Sequence, residues 1–281
     1  MGGADLHIHS TASDGKLTPV DVIREAAERE LTFIALTDHD SVDGIAPAQA
    51  AAQAFPGLKV IPGVEISTDI PQGELHILGY FIDYTDHKLK AALDRFKNSR
   101  LRRAQKMVAK LEALGIHIDW QRVEEIAGGS SIGRPHIAQA MLEKGCITSM
   151  KQAFTEYLGH DRPAYVERDK MTPAEAVALI LDAKGLPVLA HPLTFTDPEA
   201  MTIELKAAGL VGIEAYYNGY AIEEINMLVR LADKHRLITT GGSDYHGLDA
   251  TETAIGDVDL PIESVEQLIA LAKQQNPKLK F

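Results

Sequence analysis

Asp5-Leu6-His7-Ile8-His9-Ser10 is a short apolar entry that ends in two histidines one residue apart. In a β-strand alternate side chains share a face, so His7 and His9 can both turn toward one cation. The pattern recurs downstream. Phe33-Ile34-Ala35-Leu36 runs into Thr37-Asp38-His39-Asp40, Val60-Ile61 precedes Gly63-Val64-Glu65-Ile66-Ser67, and Leu186-Pro187-Val188-Leu189-Ala190 delivers His191-Pro192. Val211-Gly212-Ile213 delivers Glu214, and Leu237-Ile238-Thr239-Thr240 leads through Gly241-Gly242 to Ser243-Asp244-Tyr245-His246. Each apolar run closes on a group that binds hard cations, and His76 adds a further imidazole in a more alternating run.

Amphipathic helices fill the gaps. Thr18-Pro19 pairs an N-cap residue with proline at the first helical position, ahead of an apolar stripe of Val22, Ile23, Ala26 and Ala27. An alanine-rich helix is expected near 45–54, and Thr172-Pro173 repeats the cap before a helix to about 184. This βαβα rhythm predicts a parallel sheet or barrel, an α/β fold. In such barrels chemistry gathers where strands end.

The stretch from about 87 to 165 breaks the rhythm. A long basic helix from Lys88 to about Leu114 is followed by short helices, so the expected division is 1–95, a helical insertion at 96–165, and 166–281. Arg95, Lys97, Arg100, Arg102, Arg103, Lys106 and Lys110 crowd this segment of an otherwise acidic chain.

The chain has 281 residues with 40 Asp+Glu against 28 Lys+Arg, a formal charge of −12. That argues against a surface that coats duplex nucleic acid, which needs many cations to release phosphate counterions. A nucleotide or a strand end in a local pocket is compatible with it. Cys146 is the single cysteine, which excludes an intrachain disulfide and a thiolate metal site. It reads as a small half-buried hydrophobe. Neither a signal peptide nor an apolar run of membrane-spanning length is found, so a cytoplasmic protein without a membrane association is expected.

Three groups of ligands emerge. His7 and His9 with Glu65 and Asp244 offer four nitrogen and oxygen donors; Asp14, His39 and His246 form a second group, and Glu65 with His76 and His191 a third. A lone histidine is most often a satisfied core residue, and Asp14 sits in Ser13-Asp14-Gly15, where a turn aspartate is expected anyway. A set of this size at strand ends is not explained that way. Asp38 and Asp40 are expected to orient His39 or its neighbours. Glu214 is open between ligand, orienting group and plain strand-end carboxylate. Sulfur-free imidazole and carboxylate suit Mn, Zn or Fe.

The strings Asp-Leu-His-Ile-His-Ser, Thr-Asp-His-Asp, Gly-Val-Glu-Ile-Ser, His-Pro and Ser-Asp-Tyr-His resemble the PHP (polymerase and histidinol phosphatase) superfamily across residues 1–85 and 165–260. The resemblance implies a distorted (βα)7 TIM-like barrel and a site for three divalent ions, with Mn2+ favoured over Zn2+ or Fe2+. It assigns His7, His9, Glu65 and Asp244 to one ion, Asp14, His39 and His246 to a second, and Glu65, His76 and His191 to a third. Size and layout are similar to the group with an inserted helical domain. That group includes phosphatases of nucleoside 3′,5′-bisphosphates and 5′→3′ exoribonucleases.

Two insertion motifs agree with it, Asn98-Ser99-Arg100-Leu101-Arg102-Arg103 and Gly133-Arg134-Pro135-His136. Guanidinium forks donate paired hydrogen bonds to phosphate oxygens. Substrate-binding candidates are therefore Ser99, Arg100, Leu101, Arg102, Arg134 and His136, together with Asp14, His39 and His246; a solvated helix face is the alternative for the arginines. The expected reaction is hydrolysis of a nucleotide or short oligoribonucleotide phosphate by metal-activated water, with no protein nucleophile. A histidinol-phosphate phosphatase and a non-catalytic metal-stabilised module are the rivals. C–N hydrolysis ranks below both.

Overall fold

β1 (Ala4–Ile8), β2 (Phe33–Leu36) and β3 (Lys59–Ile70) run parallel, with α1 (Pro19–Glu28) and α2 (Ile45–Ala52) as the crossovers. This is the computed structural model, which describes residues 3–70, 73–128, 132–167, 171–247, 253–277 and 279; the side chains of Lys97 and Arg100 lie outside that description. Thr18 caps α1 by accepting the Asp21 N–H, Pro19 opens it, and Val22, Ile23 and Ala26 are buried. These three pack with Ile8, Ile34, Leu36 and Ala48 into one core cluster.

The parallel order is interrupted at β4 (Gly73–Tyr80), which pairs antiparallel with β3 on one side and with β5 (Leu186–Leu189) on the other. The link from β3 is too short for a crossover helix, so the chain can only turn back on itself. Reversal has a consequence for the site. The first half of β4 lies at the end where the parallel strands finish, and His76 comes to that end although it sits mid-strand.

After β4 the chain enters α3 (His87–Ala113), α4 (Trp120–Ala127), α5 (Arg134–Glu143) and α6 (Met150–Gln152), the last continuing into a π-helical turn at Ala153–Leu158. It returns through α7 (Pro173–Asp182), α8 (Pro198–Ala208), β6 (Gly212–Tyr217), α9 (Ile222–His235), β7 (Ile238–Gly242) and α10 (Ile262–Gln275). Among the described residues the sheet has seven strands, in the order β1-β2-β3-β4-β5-β6-β7. Its edges meet. Asp244 N–H donates to His7 O (2.8 Å), His9 N–H to Tyr245 O (3.0 Å), and Ile8 bridges Tyr245. The result is a nearly closed, barrel-shaped sheet. Gly242 permits the approach, because a Cβ there would overlap His7 N and Cβ.

Two compact units result, Met1–Ala91 with Lys170–Phe281, and Ala92–Asp169. The first holds a cluster of Leu6, Ala35, Ile61, Leu78, Tyr80 and Val188 with Val265 and Leu268 of α10. The second has its own core of Met107, Leu111, Val123, Ile137, Met141 and Leu158. Cys146 is half-buried at its edge. Among the described residues no helix is long and apolar enough to cross a membrane.

Candidate metal centre

Alternation along β1 and into the residue just after it puts His7 and His9 on one side, and both are fully buried. Their Nε2 atoms face the same two carboxylate oxygens. His7 Nε2 lies 3.3 Å from Glu65 Oε2 and 3.2 Å from Asp244 Oδ1; the corresponding distances for His9 Nε2 are 3.2 and 3.0 Å. All four atoms lie within 4.8 Å of one another, close enough to share one ion. None of these four atoms has a hydrogen-bond partner among the described residues. Buried polar atoms are rarely left so, and here they aim at a common point. The donor set fits a divalent cation.

Glu65 connects this group to its neighbours. On the antiparallel ladder His76 stands opposite Ser67, hence on the same face as Glu65 and diagonal to it. Glu65 Oε1 is 2.9 Å from His76 Nδ1 and 3.0 Å from His191 Nε2, while Oε2 is 3.0 Å from His39 Nδ1. Asp14 Oδ1 lies 3.5 Å from His246 Nε2 and 3.6 Å from His9 Nδ1, and Asp14 Oδ2 lies 3.9 Å from His39 Nε2. Three sets of side chains thus have donor atoms close enough to hold an ion: His7, His9, Glu65 and Asp244; His9, Asp14, His39 and His246; His39, Glu65 and His76. His191 shares its Glu65 oxygen with His76. The structure gathers all nine expected ligands in one place.

The cluster's charges stabilise one another. Burial opposes ionisation of Glu65, yet His39, His7 and His76 hold it well below the usual carboxylate range. Burial likewise disfavours charge on His9, but the Asp244 and Glu65 carboxylates facing its Nε2 raise it to about 10. His7 is also raised, with Asp244, Glu214 and Glu65 outweighing burial. His39 goes the other way: burial, helped by repulsion from His9 and His76, pulls it to about 4 despite Glu65 and Asp14. The carboxylates demand positive charge, which protons supply in the free chain and cations would supply in their place.

Surrounding groups aim the ligands. Glu214, left open by the sequence, sits behind the cluster: Oε1 is 2.9 Å from His7 Nδ1 and Oε2 accepts the His191 N–H at 2.8 Å. Its contact at Nδ1 leaves His7 Nε2 free to face inward. His246 Nδ1 donates to Asp244 O (2.8 Å) and its Nε2 faces Asp14. Of the two roles expected for Asp38, orienting His39 or its neighbours, its hydrogen bonds fit the second. It accepts Ser10 N–H (2.7 Å), Ser10 Oγ–H (2.8 Å) and Ser13 Oγ–H (2.7 Å), fixing the loop that carries Asp14. Asp40 accepts the Ser67 N–H at 2.9 Å, tying the turn after β2 to β3. His191, Asp244 and Asp40 have φ of +25°, +53° and +48°. Non-glycine residues adopt such values at a cost of order 1–3 kcal/mol, so the surroundings must hold these three in place.

Sequence reasoning missed Asp5 and Tyr217. Asp5 is buried and its Oδ1 accepts N–H groups of His7 (3.2 Å) and Ser243 (3.0 Å), holding β1 to the turn before Asp244. Its place in the opening motif, two residues before His7, was the available signal. Tyr217 Oη–H donates to Asp244 Oδ2 at 2.7 Å. Burial and the neighbouring Asp244 push its phenol upward, so it remains a donor at neutral pH.

The insertion candidates lie in the helical unit. Ser99 is buried on α3, Leu101 is partly buried beside it, and Arg102 is exposed. Arg100 is on α3, with its side chain outside the described residues. Gly133 caps α5, as the glycine and proline around Arg134 suggested, and its N–H donates to His136 Nδ1 at 3.0 Å. The Arg134 guanidinium stands 5.8 Å from the Phe154 ring centroid.

The PHP domain model matches residues 5–179, and the chain belongs to the PHP domain family. It is similar to the 3′,5′-nucleoside bisphosphate phosphatase of Chromobacterium violaceum, 36% identical over 93% of this chain and 93% of that protein. It is 35% identical to a 5′-3′ exoribonuclease of Haemophilus influenzae, over 86% of this chain and 89% of the relative. A solved structure from Chromobacterium violaceum, named as an amidohydrolase with bound sulfate and no metal, superposes with a TM-score of 0.80 at 35% identity, covering 96% of each chain.

Proposed function

We propose that the chain is a metal-dependent phosphoesterase that removes the 3′-phosphate of nucleoside 3′,5′-bisphosphates, yielding a nucleoside 5′-monophosphate such as AMP and inorganic phosphate. Trimming of short RNA from the 5′ end is the related activity. The observation that carries the reading is the convergence of four unpartnered buried donors, from His7, His9, Glu65 and Asp244, on one point. The named activities of the bisphosphate phosphatase and exoribonuclease relatives support the choice of substrate.

In this reading three ions bind, one to His7, His9, Glu65 and Asp244, one to Asp14, His39 and His246, and one to Glu65, His76 and His191. Mn2+ is preferred, with Zn2+ and Fe2+ also suiting the donors. Divalent cations held there supply Lewis-acid charge to phosphoryl oxygens and make water acidic enough to act as nucleophile. The chain's own part is placement. Glu214 and His246's link to Asp244 O fix imidazole tautomers, and Glu65 offers one oxygen to each side of the cluster. Phosphoryl transfer needs positioning and charge neutralisation more than covalent chemistry, so no protein nucleophile is invoked.

The insertion, taken as residues 96–165, reads the second phosphate. Arg134 and Arg102 are the principal contacts, with Ser99, Arg100, Leu101 and His136 beside them, and Asp14, His39 and His246 facing the scissile phosphate. The substrate is a mononucleotide or short oligonucleotide, not a duplex, and the setting is the cytoplasm. Product analysis on adenosine 3′,5′-bisphosphate with added Mn2+ tests the reading. It expects AMP and phosphate, abolished by chelator; 3′-AMP as product, or phosphate release from histidinol phosphate alone, would overturn it.

A further inference from the structure

β6 carries an irregularity that changes which side chains face the cluster. Glu214 pairs with Thr240, but the next pair is Tyr216 with Gly241 and then Tyr217 with Gly242, so one residue of β6 is extra. Residues three apart on a regular strand point to opposite faces; an inserted residue restores them to the same one. The bulge therefore brings Tyr217 to the side already occupied by Glu214. Its hydroxyl donates to Asp244 Oδ2 at 2.7 Å, leaving Oδ1 to face His7 and His9.

Tyr217 also packs edge-on to His191, with ring centroids 5.6 Å apart, and lies 5.0 Å from the Tyr220 ring. Tyr220 in turn accepts the Leu193 N–H at 3.1 Å, in the turn directly after His191. The two residues so held, Asp244 and His191, both have positive φ, a conformation that persists only when surroundings enforce it.

We propose that Tyr217 and Tyr220 form a positioning clasp for the metal centre. Tyr217 keeps Asp244 presenting a single oxygen to the His7 and His9 site, and Tyr220 holds the His191 turn. Neither tyrosine is a ligand. This rests on the reading of the cluster as a metal site, and its test does not depend on the substrate.

The test is cobalt binding to the chelator-stripped protein, by equilibrium dialysis and by visible absorption of bound Co2+, in wild type, Tyr217→Phe and Tyr220→Phe. Groups that orient ligands typically contribute ten- to a hundredfold in metal affinity. Tyr217→Phe is expected to weaken one class of Co2+ sites by about tenfold or more and to alter the spectrum, while the metal-free variant keeps the wild-type circular-dichroism spectrum. Tyr220→Phe is expected to show a smaller loss. Wild-type affinity and spectrum in Tyr217→Phe overturn the proposal; should that variant not fold, wild-type binding in Tyr220→Phe does so. A wild-type chain that takes up no cobalt removes the metal centre and the clasp together. Tight cobalt binding weakened in the variants, without hydrolysis of a bisphosphate, sustains the clasp and sinks only the substrate assignment.

Discussion

His7 Nδ1 and Glu214 Oε1 lie 2.9 Å apart, and both side chains are completely buried. Glu214 is thus a built-in partner that turns His7 so that Nε2 looks into the cluster. Replacing it with glutamine keeps the volume but removes the charge. Glu214→Gln is expected to weaken metal binding by about ten- to a hundredfold, read by competition with a chelating dye. Affinity equal to wild type would show that His7 is held by packing alone.

Asp38 has a different task. Three donors from Ser10 and Ser13 converge on its carboxylate, which is only 2% exposed. Asp38→Ala leaves buried donors without acceptors, each costing about 1–3 kcal/mol. A loss of about 3 kcal/mol in urea unfolding of the metal-free protein is expected, along with weaker binding at the Asp14 group. A change below about 0.5 kcal/mol would mean that water replaces the carboxylate.

The metal-free chain should lose stability as pH rises. His9 in the folded state titrates near 10, raised by Asp244 and Glu65 against burial, whereas an unfolded histidine titrates near 6.5. A raised folded value means that the folded state holds the proton more tightly. The stabilisation is complete below about pH 6.5 and disappears as pH climbs through about 10. Melting temperatures of chelator-treated protein across this range should fall, and saturating Mn2+ should flatten the decline by replacing the protons. A metal-free profile that rises over this window would contradict the charge balance drawn for the cluster.

Arg134 tests the substrate reading. With the second phosphate read by the insertion, Arg134→Ala should lower kcat/KM for a nucleoside bisphosphate by about ten- to a hundredfold, the value of one charge-assisted contact. An aryl phosphate, lacking that second phosphate, should be affected less than about threefold. Because the guanidinium also stacks on Phe154, a melting curve accompanies the kinetics; stacking there is worth about 0.5–1 kcal/mol. Equal losses on both substrates would move Arg134 from recognition to folding or catalysis.

Much of the site was legible because its physics is local. Strands buried on both faces read as continuous apolar runs, so Phe33–Leu36 and Leu186–Leu189 stand out, and the polar residues just beyond each run must lie at a strand end. Thr18-Pro19 and Thr172-Pro173 announced α1 and α7 through caps whose partners lie within three residues. Other features depend on pairing, which a sequence does not print. The reversal of β4 leaves its alternation unchanged, since period two is the same in either direction. The extra residue in β6 is likewise silent, and with it the approach of Tyr217 to Asp244. For Asp38 the sequence left open whether it served His39 or its neighbours; the fold points its carboxylate at Ser10 and Ser13.

Anomalous diffraction from crystals grown with manganese addresses the metal centre itself. Three peaks are expected, the strongest test being one enclosed by His7 Nε2, His9 Nε2, Glu65 Oε2 and Asp244 Oδ1. Crystals saturated with manganese that show no anomalous density among those four atoms would contradict it.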